Sequence, residues 1–117
     1  MTNVFYDINK FQEACDQNPS PDNYRMYLDL IREEFEELQQ AVELEDRVEQ
    51  LDALIDILVV TVGAIRAGSM KGEEAWREVM STNFAKIDKD TGKVRKREDG
   101  KVLKPEGWKP PQLKEFI

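Results

Sequence analysis

Seven carboxylates crowd the middle of the chain in two groups. Glu33, Glu34, Glu36 and Glu37 lie in the stretch REEFEEL, and Glu49, Asp52 and Asp56 surround LDALID. Oxygen donors at this density, with no nitrogen or sulfur ligand among them, suit a hard cation such as Mg2+, with Mn2+ as a substitute, rather than zinc. Such ions commonly hold phosphates. The chain contains no histidine, which removes Ser-His-Asp and Cys-His catalysis and nearly all zinc chemistry. A reaction here must be carried by carboxylates, lysines or a metal.

A helical wheel separates these acids. With Ile31 at the middle of an apolar stripe, Glu34 falls about 60° and Glu37 about 120° to one side, and Glu33 lies about 160° away. Glu36 falls on the opposite flank, as a plain solvent-facing charge. On the next helix, Asp52 and Asp56 share a flank with Val59 and Gly63 when Ile55 is taken as the centre, and Glu49 sits just outside them. Like charges one turn apart repel, and near a core their desolvation costs far more unless a cation or hydrogen bonds compensate. If the two helices pack antiparallel, Glu33, Glu34 and Glu37 face Asp52 and Asp56. The bland alternative for the glutamates alone is a solvated helix face, because acidic helices are common.

The elements that would position these groups are helices. Residues 4–17 read as a short helix with Phe5, Ile8, Phe11 and Ala14 on one side, ended by QNPSPD, whose prolines cannot sit in a helix interior. Ser20 before Pro21 forms an N-cap with proline at the first helical position. The helix that follows carries Tyr24, Leu28, Ile31, Phe35, Leu38 and Val42 at three- and four-residue spacings and fades near ELEDR. The next, from about Val48 to Ala67, is apolar around most of its circumference and is expected to lie centrally, with Gly68 closing it. A fourth, roughly Glu73 to Ile87, places Ala75, Trp76, Val79, Met80, Asn83 and Phe84 inward. Beyond it the chain changes character, with turn signals at Thr91-Gly92 and Asp99-Gly100, the second between short β-prone pieces.

The expected fold is therefore all-α, an antiparallel four-helix bundle over about residues 4–87. A basic, partly irregular C-terminal flap, with a short β-hairpin, covers residues 88–117. A chain of 117 residues suits one domain. Charge is distributed unevenly: Asp29 to Asp56 holds eleven acids against two bases, and Lys86 to Ile117 ten bases against six acids. An acidic centre with a basic tail suits a site where a cation and a polyanion meet. The single cysteine, Cys15, and the absence of an apolar leader give the expectation of a cytoplasmic protein. The longest apolar run, from Ile57 to Ile65, is too short to span a bilayer, so no membrane partner is expected.

Four segments together carry a resemblance. EEFEE supplies E-E-x-x-E at Glu33, Glu34 and Glu37, DALIDILVVTVGAI follows on an apolar helix, and NFAKID and REDGKVLKPEGWKPP complete the pattern. From about Phe11 to Pro111 the chain resembles the MazG-like all-α nucleoside triphosphate pyrophosphohydrolases, closest to the phosphoribosyl-ATP pyrophosphohydrolase-like branch, which includes dUTPase-like members. The resemblance implies a bundle that dimerises, sometimes into a dimer of dimers. It implies cleavage of a nucleoside triphosphate between the α- and β-phosphates, giving monophosphate and pyrophosphate. It further implies that Glu33, Glu34, Glu37 and Asp56 bind Mg2+ and that one of Glu33 and Glu34 activates the attacking water. The family's second motif, E-x-x-D, would want an acid at Ala53. Asp52, on the same flank, substitutes for it, and Glu49 remains a second candidate.

Asn83 and Lys86 match the family's polar pair at the end of the last helix. For Asn83, which lies on an apolar seam, ligand contact and helix capping are both open. Lys101 and Lys104 can reach phosphate oxygens as point charges, although exposed lysines most often only solubilise. Trp108 is either a base-stacking lid or the anchor of the tail, with the anchor preferred. Phe11 is read as core with a lesser role against the base, and Trp76 as core. Two alternatives stand beside a nucleoside triphosphate pyrophosphohydrolase of this type: a phosphoribosyl-ATP-type pyrophosphohydrolase, and a non-enzymatic helical module whose tail (Lys93, Arg95, Lys96 and Arg97) binds nucleic acid. The acidic centre would repel a polyanion and no aromatic platform interleaves the tail bases, which counts against the last.

Overall fold

The computed structural model describes residues 2–117. Four α-helices and no strand occur among them, so the chain is all-α, as expected. The helices are α1 (Val4–Ala14), α2 (Pro21–Glu43), α3 (Arg47–Ala67) and α4 (Gly72–Phe84), followed by a short 3-10 turn, Lys114–Phe116. Two compact units form, one ending at Gly72 and one running from Glu73 to Ile117.

In the first unit the boundaries follow local chemistry. Ser20 Oγ accepts from the Asn23 backbone N–H at 3.0 Å, with Pro21 at the first helical position, as its sequence requires. Asp46 caps α3 in the same way, accepting from Glu49 N at 3.1 Å. Only residues 44–46 separate α2 from α3, so the two form an antiparallel hairpin. Glu45 takes the left-handed conformation this turn needs, with φ 53°. Gly68 does not play the part expected of it: its φ is −85°, and Ser69 takes the left-handed position.

The core consists of Tyr27, Val60, Ala64 and Ala67, with Tyr24, Leu30 and Ile31 packed against it. This differs from the expected burial in a systematic way. On α3 the buried residues are Ala53, Val60, Val62, Gly63, Ala64 and Ala67. The bulky Leu51, Leu54, Ile55 and Leu58 are 45–62% exposed. Small side chains let the helices approach closely, so α2 and α1 settle on the small-residue side of α3. On α1, Phe11 is 61% exposed rather than core, and its neighbour Gln12 is fully buried.

In the second unit α4 ends at Phe84, three residues before the expected end. Ile87 instead pairs with Val94 in an antiparallel bridge, and Lys96 pairs with Val102 in another. The expected hairpin is thus two short, successive ones. Gly92 and Gly100 turn them with φ 69° and 88°, a region glycine enters without steric cost. Trp76 (57% exposed) and Phe84 are on the surface, not in the core. No single helix among the described residues is long and apolar enough to cross a membrane.

Candidate functional site

Three contacts establish how α2 lies against α3. Tyr24 meets Gly68, Tyr27 meets Gly63, and the Gln50 amide donates to Ala41 O at 3.3 Å. In an antiparallel pair each step along α2 is a step back along α3. Residues seven apart also share a helix face, since two turns take 7.2 residues. Seven residues on from Tyr27 is Glu34, and seven back from Gly63 is Asp56, so the two acids are level on the facing sides. A further seven bring Ala41, which is buried, level with Glu49. Glu34 therefore stands in the middle of the α2–α3 seam, not on its border.

The electrostatics follow from that position. Glu34 Oε2 is out of contact with solvent and has no hydrogen-bond partner. Burial pushes the Glu34 carboxyl above its ordinary value. Glu37 raises it further, by a hydrogen bond that only the protonated form can make and by repulsion, and Asp56 and Asp52 add repulsion. Asp56 is raised too, first by burial, then by Asp52 and then by Glu37. The ion pairs among the described residues are Arg32–Asp29, Arg77–Glu73 and Arg97–Asp99. No base neutralises the four carboxylates on the seam.

The structure thus brings Glu34, Glu37, Asp52 and Asp56 together. Glu33 is exposed and is not among the charges acting on Glu34 or Asp56. Glu36 is exposed, as expected. Glu49 lies further along, lining an open groove of about 380 Å3 with Glu37, Gln40, Ala41, Leu44 and Asp46. Among the described residues no three acids stand close enough to hold one ion, so the carboxylates share a face without converging on a point. Their chemistry nonetheless fits a hard divalent cation: all are oxygen donors, and one buried oxygen lacks a partner.

The second unit holds a cationic set of its own. Trp108 is anchored by its indole N–H, which donates to Thr82 O at 2.7 Å. The ammonium groups of Lys86 and Lys104 lie 5.0 and 4.8 Å from the centre of its ring, within cation–π range. Lys86 also donates to Asn83 Oδ1 at 3.1 Å, and the Asn83 amide reaches Met80 Sδ at 3.7 Å. Asn83 thus positions a lysine rather than capping the helix. Lys101 is exposed in the 97–101 turn, where its backbone N–H donates to Asp99.

Sequence reasoning missed a polar knot around Gln12. Its amide donates to Gly63 O at 3.1 Å and its Oε1 accepts from Arg66 at 3.0 Å. The available signals were a glutamine beside Phe11 on an apolar face and a lone glycine in TVGAI.

Comparison with known families places the chain. The model of the phosphoribosyl-ATP pyrophosphohydrolase family matches residues 6–83, which include every carboxylate of the seam. No curated protein matches the chain.

Proposed function

Because the chain belongs to the phosphoribosyl-ATP pyrophosphohydrolase family, we propose that it cleaves a nucleoside or deoxynucleoside triphosphate between the α- and β-phosphates with Mg2+. Water is consumed, and nucleoside monophosphate and pyrophosphate are released. The observation that carries the metal-dependent reading is Glu34 Oε2, buried and unpartnered in a seam shared with Glu37, Asp52 and Asp56. Burial and neighbouring carboxylates hold Glu34 and Asp56 above the ordinary carboxyl range, and a bound cation would favour their charged forms. Glu34, Glu37, Asp52 and Asp56 would hold Mg2+, with Mn2+ as a substitute. The bound ion would neutralise phosphate charge and acidify water. Of Glu33 and Glu34, which the family resemblance assigns to activating the water, Glu33 is the exposed one and would take the proton. In the second unit, Lys86 and Lys104 have the chemistry to hold phosphate oxygens.

The partner is a second copy of this chain. Leu51, Leu54, Ile55 and Leu58 on α3, with Leu28, Phe35 and Val42 on α2, are exposed. An apolar face of this extent is normally covered, and a dimer through it would complete the helical packing.

The family description itself favours a second substrate, phosphoribosyl-ATP, which carries the same anhydride. Pure protein incubated with Mg2+ or Mn2+ and a panel of ribo- and deoxyribonucleoside triphosphates plus phosphoribosyl-ATP decides between them. Equal amounts of monophosphate and pyrophosphate from a triphosphate support the first reading, and from phosphoribosyl-ATP alone the second. Release of pyrophosphate from none of them, with either metal, overturns both.

A further inference from the structure

The seam that faces Glu34 toward Asp56 is held, two turns away, by a closed circuit of contacts. A Cβ added at Gly63 would stand 2.6 Å from Tyr27 Cε1 and 2.7 Å from Gln12 Nε2. The Tyr27 ring and the Gln12 amide therefore already occupy the space that any other residue at 63 would need. Gln12 donates to Gly63 O at 3.1 Å and accepts from Arg66 Nη1 at 3.0 Å. The same Arg66 nitrogen donates to Gln17 O at 2.8 Å. The Tyr27 hydroxyl closes the circuit by donating to Gln17 Oε1 at 2.5 Å. Gln12 is 1% exposed, and both ends of its amide are satisfied. A buried polar network that is fully satisfied favours one arrangement of the elements around it.

From these contacts we propose that Gln12 and Gly63 are positioning residues for the metal-binding carboxylates, setting the spacing and register of α2 against α3. The inference rests on the metal-site reading above. Tyr27 and Glu34 share one face of α2, and Gly63 and Asp56 the matching face of α3. A displacement at the Tyr27–Gly63 contact is carried along two rigid helices to the carboxylates. A slip of one residue would shift Glu34 about 1.5 Å along its partner and turn it about 100° out of the seam. Close-packed interiors do not absorb such changes locally.

The test compares Mn2+ binding, by calorimetry, with thermal melting in wild type and four variants. Gly63→Ala is expected to weaken Mn2+ binding tenfold or more while remaining folded. Gly63→Ala with Tyr27→Leu, which vacates the ring's space but leaves Gln12 Nε2 2.7 Å from the added Cβ, is expected to regain only part of the affinity. Gln12→Leu is expected to weaken binding although it alters no carboxylate itself. Val60→Ala, a core truncation with no part in the circuit, is expected to lower the melting temperature without changing affinity. If Gly63→Ala does not fold, Gln12→Leu against Val60→Ala decides. Unchanged affinity in folded Gln12→Leu, or a loss in Val60→Ala equal to that in the circuit variants, overturns the inference and leaves the metal site standing. A wild-type protein that binds no Mn2+ overturns the metal-site reading and this inference with it.

Discussion

Glu34→Gln should make the metal-free protein more stable while abolishing its activity. Glu34 Oε2 is buried without a partner, and an unsatisfied buried polar atom costs about 1–3 kcal/mol. Glutamine keeps the shape, removes the charge, and brings an amide donor that the Glu37 carboxylate beside it can accept. Some solvent still reaches the residue, so the lower part of that range applies. A gain of about 1–2 kcal/mol at pH 7.5 in EDTA would raise the melting temperature by about 4–8 °C in a domain of this size. The pH dependence has a definite sign. The Glu34 carboxyl is held above its ordinary value of 4.5, so it favours the fold only while protonated. Its contribution is complete below pH 4.5 and is lost as the pH rises through the folded-state value. The advantage of the variant should therefore shrink as the pH falls toward 4. With saturating Mg2+ the order reverses, because wild type gains about 2.7 kcal/mol at a hundredfold excess over Kd and a variant without the ligand does not. Melting curves at pH 7.5 and 4, with EDTA and with Mg2+, read all four conditions. A variant no more stable than wild type in EDTA at pH 7.5 would refute the argument that this carboxylate is buried at a cost.

Glu36→Gln should leave turnover within about twofold, since Glu36 is exposed away from the seam, whereas Glu37→Gln should reduce it at least a hundredfold, a ratio that separates machinery from surface. Ile55→Glu, at a position 50% exposed on the outer face of α3, should convert a species of twice the 13.6 kDa chain mass to monomer in light scattering. Trp108→Phe removes the 2.7 Å bond to Thr82 O. It should cost about 1 kcal/mol of stability and raise KM more than it lowers kcat, because it loosens the ring beneath Lys86 and Lys104.

The all-α class, the Ser20–Pro21 helix start and the limits of α2 and α3 were legible in the sequence. Each depends on interactions within a few residues. The separation of Glu36 from Glu34 and Glu37 was legible for the same reason, because helical periodicity puts them on different faces. The sequence also named Asp52 and Asp56, since two aspartates in an apolar helix need a cause. Other features depended on which neighbour each face meets. Periodicity centred the buried stripe of α2 on Ile31 and that of α3 on Ile55. The folded seam is turned so that Glu34 and Asp56 lie within it and Ile55 points outward. Hydrophobicity measures how much of a helix wants cover, but not which part its own chain covers and which it leaves exposed. That choice was made by small residues: Gly63, which admits Tyr27, and Ala64 and Ala67 beside it. Only the tertiary structure, by pressing α2 onto that narrow side of α3, set one of a row of glutamates in the seam with a buried, unpartnered oxygen.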